Sequence, residues 1–360
     1  MMSKQSNKGN VRALSTAMII LASVIVISIL LLTVKVSPLT AFGALISGAF
    51  GSKLGIINTI VKASPICLCA LAVAVAKQAG IFNIGVNGQM TIGALATAVV
   101  GVYLKGVPAI IHIPLCLLAG MLGGMLYASI PAIAYIKKKI TLIVIFLLMN
   151  TMANLIVTWL IFVYLKDPNS MATATYRIQR SAQLPNLMVS PTRLSIAFII
   201  TLVVCVIIYL FFYKTTAGYE LRVTGLNRQA AIYSGINVNK YLGSSLIIGG
   251  ALGGLAGGLE ILGLYYRMYN GELPSYGFDG IPIAILANNN PIGIIIGSII
   301  FGAIRVGSST LQVKTGVTSK LVDVIQGVLI CFIALEYLFQ FFSGKIIEKI
   351  GKIMKKEAVK

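Results

Sequence analysis

Charged residues, and acidic residues above all, are scarce in this sequence of 360 residues. Only 11% of the residues are charged, against about 25% in a typical soluble domain. Nine residues are Asp or Glu, no two of them in a paired acidic motif, and His112 is the single histidine. Metal sites and acid–base catalysis draw mainly on these residue types. We therefore expect no catalytic residue and no metal site in this chain.

The phosphate-binding motif of P-loop ATPases is also missing. Gly344-Lys345 and Gly351-Lys352 are each followed by Ile, where that motif requires Ser or Thr. We therefore expect that this chain binds neither ATP nor another cofactor.

The net charge of +20 does not indicate a nucleic-acid-binding protein, because of where the basic residues lie. They occur at the chain ends and between apolar runs, as expected beside an anionic cytoplasmic leaflet. With 58% hydrophobic residues and a mean hydropathy of +0.93, the composition is typical of a protein that crosses a membrane several times. We expect an all-α polytopic fold in contact with membrane lipid and not with nucleic acid.

Apolar runs predict about ten transmembrane helices, although eight or nine remain alternatives. The runs cover residues 13–34, 63–76, 90–104, 110–136, 141–165, 194–213, 242–264, 281–304 and 321–342. The run 281–304 contains Asn288-Asn289-Asn290-Pro291, and we interpret it as two short crossings. This interpretation places the six lysines of the C-terminal tail inside, so both termini are predicted to be cytoplasmic.

This topology divides the chain into three parts. Residues 1–12 form a cytoplasmic N-terminal segment, residues 13–342 form the transmembrane domain, and residues 343–360 form a cytoplasmic basic tail. Within the transmembrane domain, the basic stretch 214–241 is predicted to be cytoplasmic and the proline-containing stretch 166–193 to be an external loop.

The cytoplasmic stretch 214–241 contains a short predicted helix. Gly225 and Gly235 bracket the residues LNRQAAIYS, in which Ala230 and Ala231 provide a small surface that permits close packing. A helix held just outside a membrane bundle is suited to binding another protein.

Glycine recurs every four residues in two rows of the run 242–264. The rows are Gly249, Gly253 and Gly257, and Gly250, Gly254 and Gly258. We predict that both rows face one side of a helix and let another helix approach closely, either within this chain or at a subunit interface.

Polar residues interrupt the apolar runs at three places. They are Asn83, Asn87 and Gln89 in the first, Asn288 and Asn289 in the second, and Glu260 alone in the third. Polar side chains inside a membrane are costly and usually functional, so we predict that these six residues line a substrate path. The alternatives are turns at the membrane surface for the two breaks and, for Glu260, a carboxylate that reaches the outer interface.

Four motifs in order carry a resemblance to a known family. They are GIFNIGVNGQM (80–90), GLNRQAAIYSGINVNK (225–240), GGALGGLAGGLEILG (249–263) and GFDGIPIAILANNNPIGIIIGSIIFGAIRVG (277–307). With them the chain resembles the inner-membrane permeases of ABC importers in the branched-chain amino-acid, simple-sugar and nucleoside group. It is most similar to the nucleoside permeases that work with basic-membrane-protein-type lipoproteins. The sequence departs from the family pattern at Asn87, usually acidic, and at Thr141-Leu142, usually Asn-Glu.

The resemblance implies a mechanism and a set of partners. A cytoplasmic ABC ATPase would use ATP–Mg and bind the predicted helix through Gly225, Asn227, Ala230, Ala231 and Gly235. A second permease subunit, similar or identical, would complete the path. An extracellular substrate-binding lipoprotein would deliver nucleosides to the external segments around 166–193 and 265–279. The implied location is the bacterial cytoplasmic (inner) membrane.

Two other functions stay open at this point. The same machine could import a simple sugar such as ribose or galactose. An ion-coupled secondary transporter would also contain broken helices near the middle of the membrane, but would need no ATPase.

Overall fold

The computed structural model describes residues 2–188, 192–270 and 273–317, together with isolated positions between residues 321 and 339. Most of the described residues are helical, which confirms the predicted helical membrane-protein class; one small antiparallel sheet is an addition to it. The chain forms two compact units, one of residues 49–306 and one of residues 1–48 with 307–360.

The smaller unit begins with α1 (Met2–Thr33) and α2 (Pro38–Phe50). Because α1 starts at Met2, the polar N-terminal segment and the first apolar run form one continuous helix. The two helices meet at an angle of 112° after Lys35, whose φ is 59°. Buried Leu31 packs with Leu311 in the core of this unit. The predicted tail, 343–360, lies outside the described residues.

The larger unit contains helices α3 to α11, most of α12 and the sheet. Their bounds are Lys53–Gln78 (α3), Val86–Tyr103 (α4), Ala109–Lys138 (α5), Leu142–Leu160 (α6), Ala197–Lys214 (α7), Thr216–Leu226 (α8), Arg228–Tyr233 (α9), Val238–Glu260 (α10), Tyr276–Leu286 (α11), Pro291–Thr315 (α12), Asn186–Met188 (β1) and Leu194–Ser195 (β2). One π-helical turn, Ile161–Leu165, extends α6, and another, Ile261–Tyr265, extends α10.

Helix α10 packs against α3, α4 and α5, and the glycines of its two rows lie at these contacts. A Cβ on Gly254 would lie 2.9 Å from the carbonyl carbon of Gly120 in α5, whereas one on Gly257 would lie 2.9 Å from the amide nitrogen of Ala94 in α4. A Cβ on Gly249 would lie 3.0 Å from the carbonyl oxygen of Ala72 in α3. The prediction of close packing is therefore confirmed within this chain. The prediction that both rows face one side agrees with these contacts, since α4 also meets the second row: a Cβ on Gly258 would lie 2.9 Å from Thr97 Oγ1.

Both predicted chain breaks are present. Residues 79–85 are non-helical and separate α3 from α4, and residues 287–290 separate α11 from α12. The second pair of helices is unequal, because α11 has 11 residues and α12 has 25. At about 1.5 Å per residue, α11 is too short to cross a membrane and α12 is long enough. The interpretation of 281–304 as two short crossings is therefore wrong for α12.

The predicted external segments lie together at one end of the larger unit. The amide of Thr175 donates to the carbonyl of Met268 at 2.9 Å, and the amide of Ile178 donates to the carbonyl of Tyr266 at 2.9 Å. The amide of Gln179 also bonds the carbonyl of Gly101, near the end of α4. These hydrogen bonds join segment 166–193 to the segment that follows α10.

Six of the described helices are long and apolar enough to cross a membrane: α3, α5, extended α6, α7, extended α10 and α12. Counting α1 and α2 as one bent span gives seven. Helices α5, α6 and α7 carry many large exposed apolar side chains, as a lipid-facing surface requires. The chain is a multi-pass membrane protein. The count of ten spans stays a prediction, because most of the run 321–342 lies outside the described residues.

Candidate functional site

The stretch 214–241, which is predicted to be cytoplasmic, folds as two helices before α10 and not as one bracketed helix. Asn227 has an extended φ of −155°, and its Oδ1 accepts hydrogen bonds from the amides of Gln229 and Ala230 at 3.0 and 3.1 Å. It is therefore the N-cap of α9. Gly235, with φ of 77°, ends this segment as predicted, because a left-handed residue follows the helix.

Gly225 does not bracket α9. It lies inside α8, where a Cβ would come 2.8 Å from the amide nitrogen of Gly80, in the turn after α3. The prediction that Gly225 is a turn residue is therefore wrong: its small size lets α8 contact the α3 turn. Arg228 strengthens this contact, since Nη2 donates to the carbonyl of Gly80 at 3.3 Å and Nη1 donates to Tyr135 Oη, in α5, at 3.2 Å.

The outer face of α8 and α9 is apolar and exposed. Leu226 is 87% exposed, Tyr233 88% and Ile232 58%. We call the surface formed by Leu226, Ala230, Ile232 and Tyr233 the coupling surface. Arg228 in the same segment hydrogen-bonds the turn after α3 and Tyr135 of α5, close to the basic residues Lys77, Lys137 and Lys138 at the ends of these helices. Grouped exposed apolar residues mark a surface that contacts either a protein or a membrane.

Ala230 and Ala231 differ in environment, although the sequence places them side by side. Ala230 is exposed and available to a partner, whereas Ala231 has no exposed surface and packs inside the chain. A bulky residue at position 231 would therefore disturb the fold of this chain, so only position 230 can test binding to a partner.

The first polar cluster forms a closed amide pair. Asn83 Nδ2 donates to Gln89 Oε1 at 3.3 Å, and Gln89 Nε2 donates to Asn83 Oδ1 at 3.4 Å. Both side chains are buried, and they lie against Gly249 and Gly253 of α10. Non-helical backbone within a membrane protein needs such partners. The break at 79–85 thus includes exposed Gly80, beside α8, and places the buried Asn83 side chain inside the bundle.

Asn87 lies beside this pair in the first turn of α4. It is 9% exposed, and a Cβ on Gly277 of α11 would lie 2.7 Å from its Cα. The neighbouring amide of Gly88 donates to Asn150 Oδ1 at 2.8 Å, and Asn150 Nδ2 donates to the carbonyl of Ile84 at 3.0 Å. Asn150 is therefore a further polar residue of this cluster.

The second break has a structural explanation. Asn288 and Asn289 have φ of 50° and 59°, which Asn tolerates better than most residues. The amide of Asn289 donates to the carbonyl of Ala284 at 2.8 Å, so this pair ends α11. From Tyr276 to Leu286, α11 is about 15 Å long. Asn288 and Asn289 therefore lie at the far end of α11 from the third cluster, described next.

Glu260 belongs to a group of charged and aromatic residues that are buried or half-buried. We call Lys62, Glu260, Tyr276, Asp279 and Arg305 the outer cluster. Arg305 Nε forms an ion pair with Asp279, and the guanidinium of Arg305 lies 4.8 Å from the centre of the Tyr276 ring. The Lys62 amine lies 5.7 Å from the same ring. Glu260 is 3% exposed, so the alternative that it reaches the outer interface is wrong.

The structure does not bring the six predicted path residues together. Asn83 lies against Gly249, eleven residues before Glu260 on α10, which corresponds to about 16 Å along the helix axis. Asn83, Asn87 and Gln89 form one group, Glu260 belongs to the outer cluster, and Asn288 and Asn289 stand apart. Their role in a substrate path stays a prediction.

The sequence analysis missed Lys62, Tyr276, Asp279 and Arg305. Three of these residues are charged and lie in or beside apolar runs, so the rule that singled out Glu260 applied to them as well. Lys62 was overlooked because α3 begins at Lys53, ten residues before the predicted apolar run at 63.

A protein-family comparison matches residues 55–334 with the family described as branched-chain amino acid transport system / permease component. Relatives support the match along most of the chain. The guanosine ABC transporter permease protein NupP of Bacillus subtilis is 33% identical over 89% of this chain and 93% of its own length. The nucleoside ABC transporter permease protein NupB of Lactococcus lactis is 28% identical over 88% and 89%.

A relative with a different cargo is similar to nearly the same degree. The glucose ABC transporter permease protein TsgB13 of Haloferax volcanii is 31% identical over 89% of this chain and 87% of its own length. The family match covers well over half of the chain, and the relatives cover it almost from end to end. The chain belongs to the branched-chain amino acid transport system permease family.

Proposed function

We propose that this chain is the permease subunit of an ATP-binding-cassette importer that carries nucleosides across a bacterial cytoplasmic membrane. It works with a cytoplasmic ATPase, a second permease subunit and an extracellular substrate-binding lipoprotein. ATP–Mg is bound and hydrolysed by the ATPase, and this chain forms the path. The observation that carries the proposal is the coupling surface, together with the permease names of the relatives.

The coupling surface supports the ATPase partner for a mechanical reason. Arg228 hydrogen-bonds the turn after α3 and Tyr135 near the end of α5, and the small Gly225 lets α8 contact the same turn. A displacement of α9 would therefore also displace the ends of α3 and α5. Exposed Leu226 and Tyr233 offer the apolar area that a docking partner would cover.

Nucleoside is proposed as the cargo because two of the relatives described above are named for guanosine or nucleosides. A simple sugar is the second candidate, supported by the glucose permease at 31% identity. Both cargoes are neutral and rich in hydroxyl groups, so the outer cluster suits either one.

The test is to purify this chain with the ATPase that binds it, reconstitute the complex in liposomes and measure ATP hydrolysis with loaded binding protein. Stimulation by inosine, guanosine or uridine, and not by ribose or glucose, is the expected result. Stimulation by free sugar alone would establish the second candidate. Recovery of this chain without any ATPase, with uptake driven by an ion gradient, would replace the importer by a secondary transporter.

A further inference from the structure

Two buried polar atoms of the outer cluster have no hydrogen-bond partner among the described residues: Glu260 Oε2 and Tyr276 Oη. Glu260 is 3% exposed and Tyr276 is fully buried. Burial of a polar group without a partner is destabilising, and such groups in native proteins need an explanation. The same turn of α3 lies beside both residues, since the Lys62 amine is 5.7 Å from the centre of the Tyr276 ring and Ser64 and Pro65 line a small cavity with Glu260. The two atoms therefore form one unfilled polar feature.

The charges around this feature restrict what could fill it. Lys62 and Arg305 both act electrostatically on Glu260, and Arg305 is paired with Asp279. Two formal positive charges thus face two carboxylates, and the sum is zero. A site of this kind gives no advantage to a phosphate group or to a cation. It favours a neutral solute that can both donate and accept hydrogen bonds.

The contacts of Tyr276 further restrict the class of solute that the site can bind. Both cations lie over its ring, Arg305 at 4.8 Å and Lys62 at 5.7 Å from the ring centre. The ring face is therefore occupied, and the hydroxyl is the part of Tyr276 that can meet a solute. A carboxylate accepts two hydrogen bonds side by side, as two adjacent hydroxyl groups can provide. The Glu260 carboxylate and the Tyr276 hydroxyl together therefore fit a vicinal diol, which carries hydroxyl groups on two adjacent carbon atoms.

The space beside Glu260 is small in this conformation. Glu260 lines a cavity of about 20 Å³ together with Ser64, Pro65 and Ser195. A cavity of that size holds about one water molecule, whereas pockets for small ligands usually exceed about 300 Å³. The walls come from α3, the end of α10 and the segment that leads into α7, so a solute can enter only when these elements separate.

We propose that Glu260 and Tyr276 bind the ribose of the solute through its 2′- and 3′-hydroxyl groups. Glu260 accepts from both hydroxyls, and Tyr276 donates to one of them. Lys62, Arg305 and Asp279 hold these two side chains and keep the site neutral. The inference rests on the proposed function, and it predicts that the permease recognises the sugar and accepts different bases.

The experiment compares uptake of inosine and 2′,3′-dideoxyinosine by the reconstituted complex of full-length chains with one lipoprotein preparation. Wild type, Glu260→Gln and Tyr276→Phe are measured in parallel. Tyr209→Phe is the matched control, since Tyr209 lies in α7 with its ring 4.9 Å from that of Tyr213, outside the outer cluster and the external segments. Because the lipoprotein is common to all samples, any change in the inosine-to-dideoxyinosine ratio belongs to this chain.

We expect the ratio to fall about tenfold in Glu260→Gln, since a hydrogen bond to a charged group contributes on this scale. A smaller fall, of a fewfold, is expected in Tyr276→Phe, and no change is expected in Tyr209→Phe. Equal loss of uptake for both solutes, with the ratio unchanged, would show that Glu260 and Tyr276 act only in the structure and would overturn the inference. If Glu260→Gln does not fold, Tyr276→Phe decides the question.

Failure of the proposed function gives a different result. A wild-type complex that carries sugars and no nucleoside refutes the nucleoside cargo. The same variants are then compared with ribose and 2-deoxyribose. A lower ribose-to-deoxyribose uptake ratio in Glu260→Gln would support the proposed diol site, and an unchanged ratio would refute it. A complex that carries neither class of solute refutes both proposals.

Discussion

Just before α10, on α8 and α9, the chain exposes apolar side chains on the coupling surface, whereas at the end of α10 it buries Glu260 among further charged residues. Each region departs from the usual distribution, in which solvent-exposed residues are polar and buried residues are apolar. Leu226 and Tyr233 face outward with no partner in the described chain, and Glu260 lies where apolar residues are expected. Local departures from the general pattern are typical of functional sites.

The two regions differ in how strongly a substitution affects the stability of the fold. Exposed residues on the coupling surface contribute little to packing, so they can be changed without unfolding the chain. Glu260, Tyr276 and Asp279 of the outer cluster are buried, so a change there affects stability and solute binding together. The comparison teaches that a partner surface can be tested by single substitutions, whereas a buried site needs paired variants.

The largest effect is expected in the outer cluster. Arg305→Met removes the ion-pair partner of Asp279, whose side chain is 3% exposed, and should lower the free energy of unfolding by about 3–5 kcal/mol. The double variant Arg305→Met, Asp279→Leu should recover much of this loss, because the buried Asp279 carboxylate that lost its ion-pair partner is then absent. Unfolding of the protein in detergent micelles measures both. A double variant as unstable as the single one would show that the ion pair is not the cause.

The next effect concerns α10, which connects the two regions. Gly254→Ala places a methyl group 2.9 Å from the carbonyl carbon of Gly120, and moving a backbone costs about 1–3 kcal/mol. Both transport and thermal stability should fall. Gly43→Ala is the matched control, since nothing lies within 4 Å of its added Cβ and alanine favours the helix by up to about 1 kcal/mol. Similar melting temperatures for the two variants would refute the close contact.

On the coupling surface, Ala230→Arg should leave stability unchanged and weaken capture of the ATPase at least about tenfold, or about 1.4 kcal/mol. The reason is that Ala230 is exposed and a long charged side chain would hold a docked partner away. Ala230→Ser is the control and should retain capture. Co-purification and circular dichroism provide the two readings. Normal capture by Ala230→Arg would place the ATPase contact elsewhere.

The smallest effect is expected at the cap of α9. Asn227→Ala removes two side-chain hydrogen bonds to the amides of Gln229 and Ala230 and should destabilise this helix by about 1 kcal/mol. Hydrogen exchange at these amides should become about fivefold faster, since 1.4 kcal/mol is tenfold. Asn227→Ser retains a cap and should exchange at nearly the wild-type rate. Unchanged exchange in the alanine variant would mean that the cap does not hold α9.

The sequence was sufficient for the class of protein and for the position of each chain break. Asn288 shows the limit of such an argument. Its place in an apolar run reveals a break, but a residue that lines a path and a residue that ends a helix look alike in a sequence. The left-handed backbone of Asn288 and Asn289 shows that they end α11, and it depends on how α11 meets α12.

Ala230 and Ala231 show a second limit. The sequence indicates that small residues lie on a short helix, but not which of them faces the chain. A six-residue helix has too little periodic pattern for that decision. Its orientation comes from Arg228 and from the contact of Gly225 with the α3 turn, both of which join residues more than 90 positions apart.

By itself, the sequence determined that this chain is a helical membrane protein, that it lacks a P-loop, and that its polar residues cluster at a few places. These properties follow from composition and local order, because lipid demands apolar runs whatever the fold. Only the tertiary structure decided that Lys62, Glu260, Tyr276 and Arg305 meet. They come from four helical segments spread over 244 positions, and their contact depends on close packing around α10, which no local pattern records.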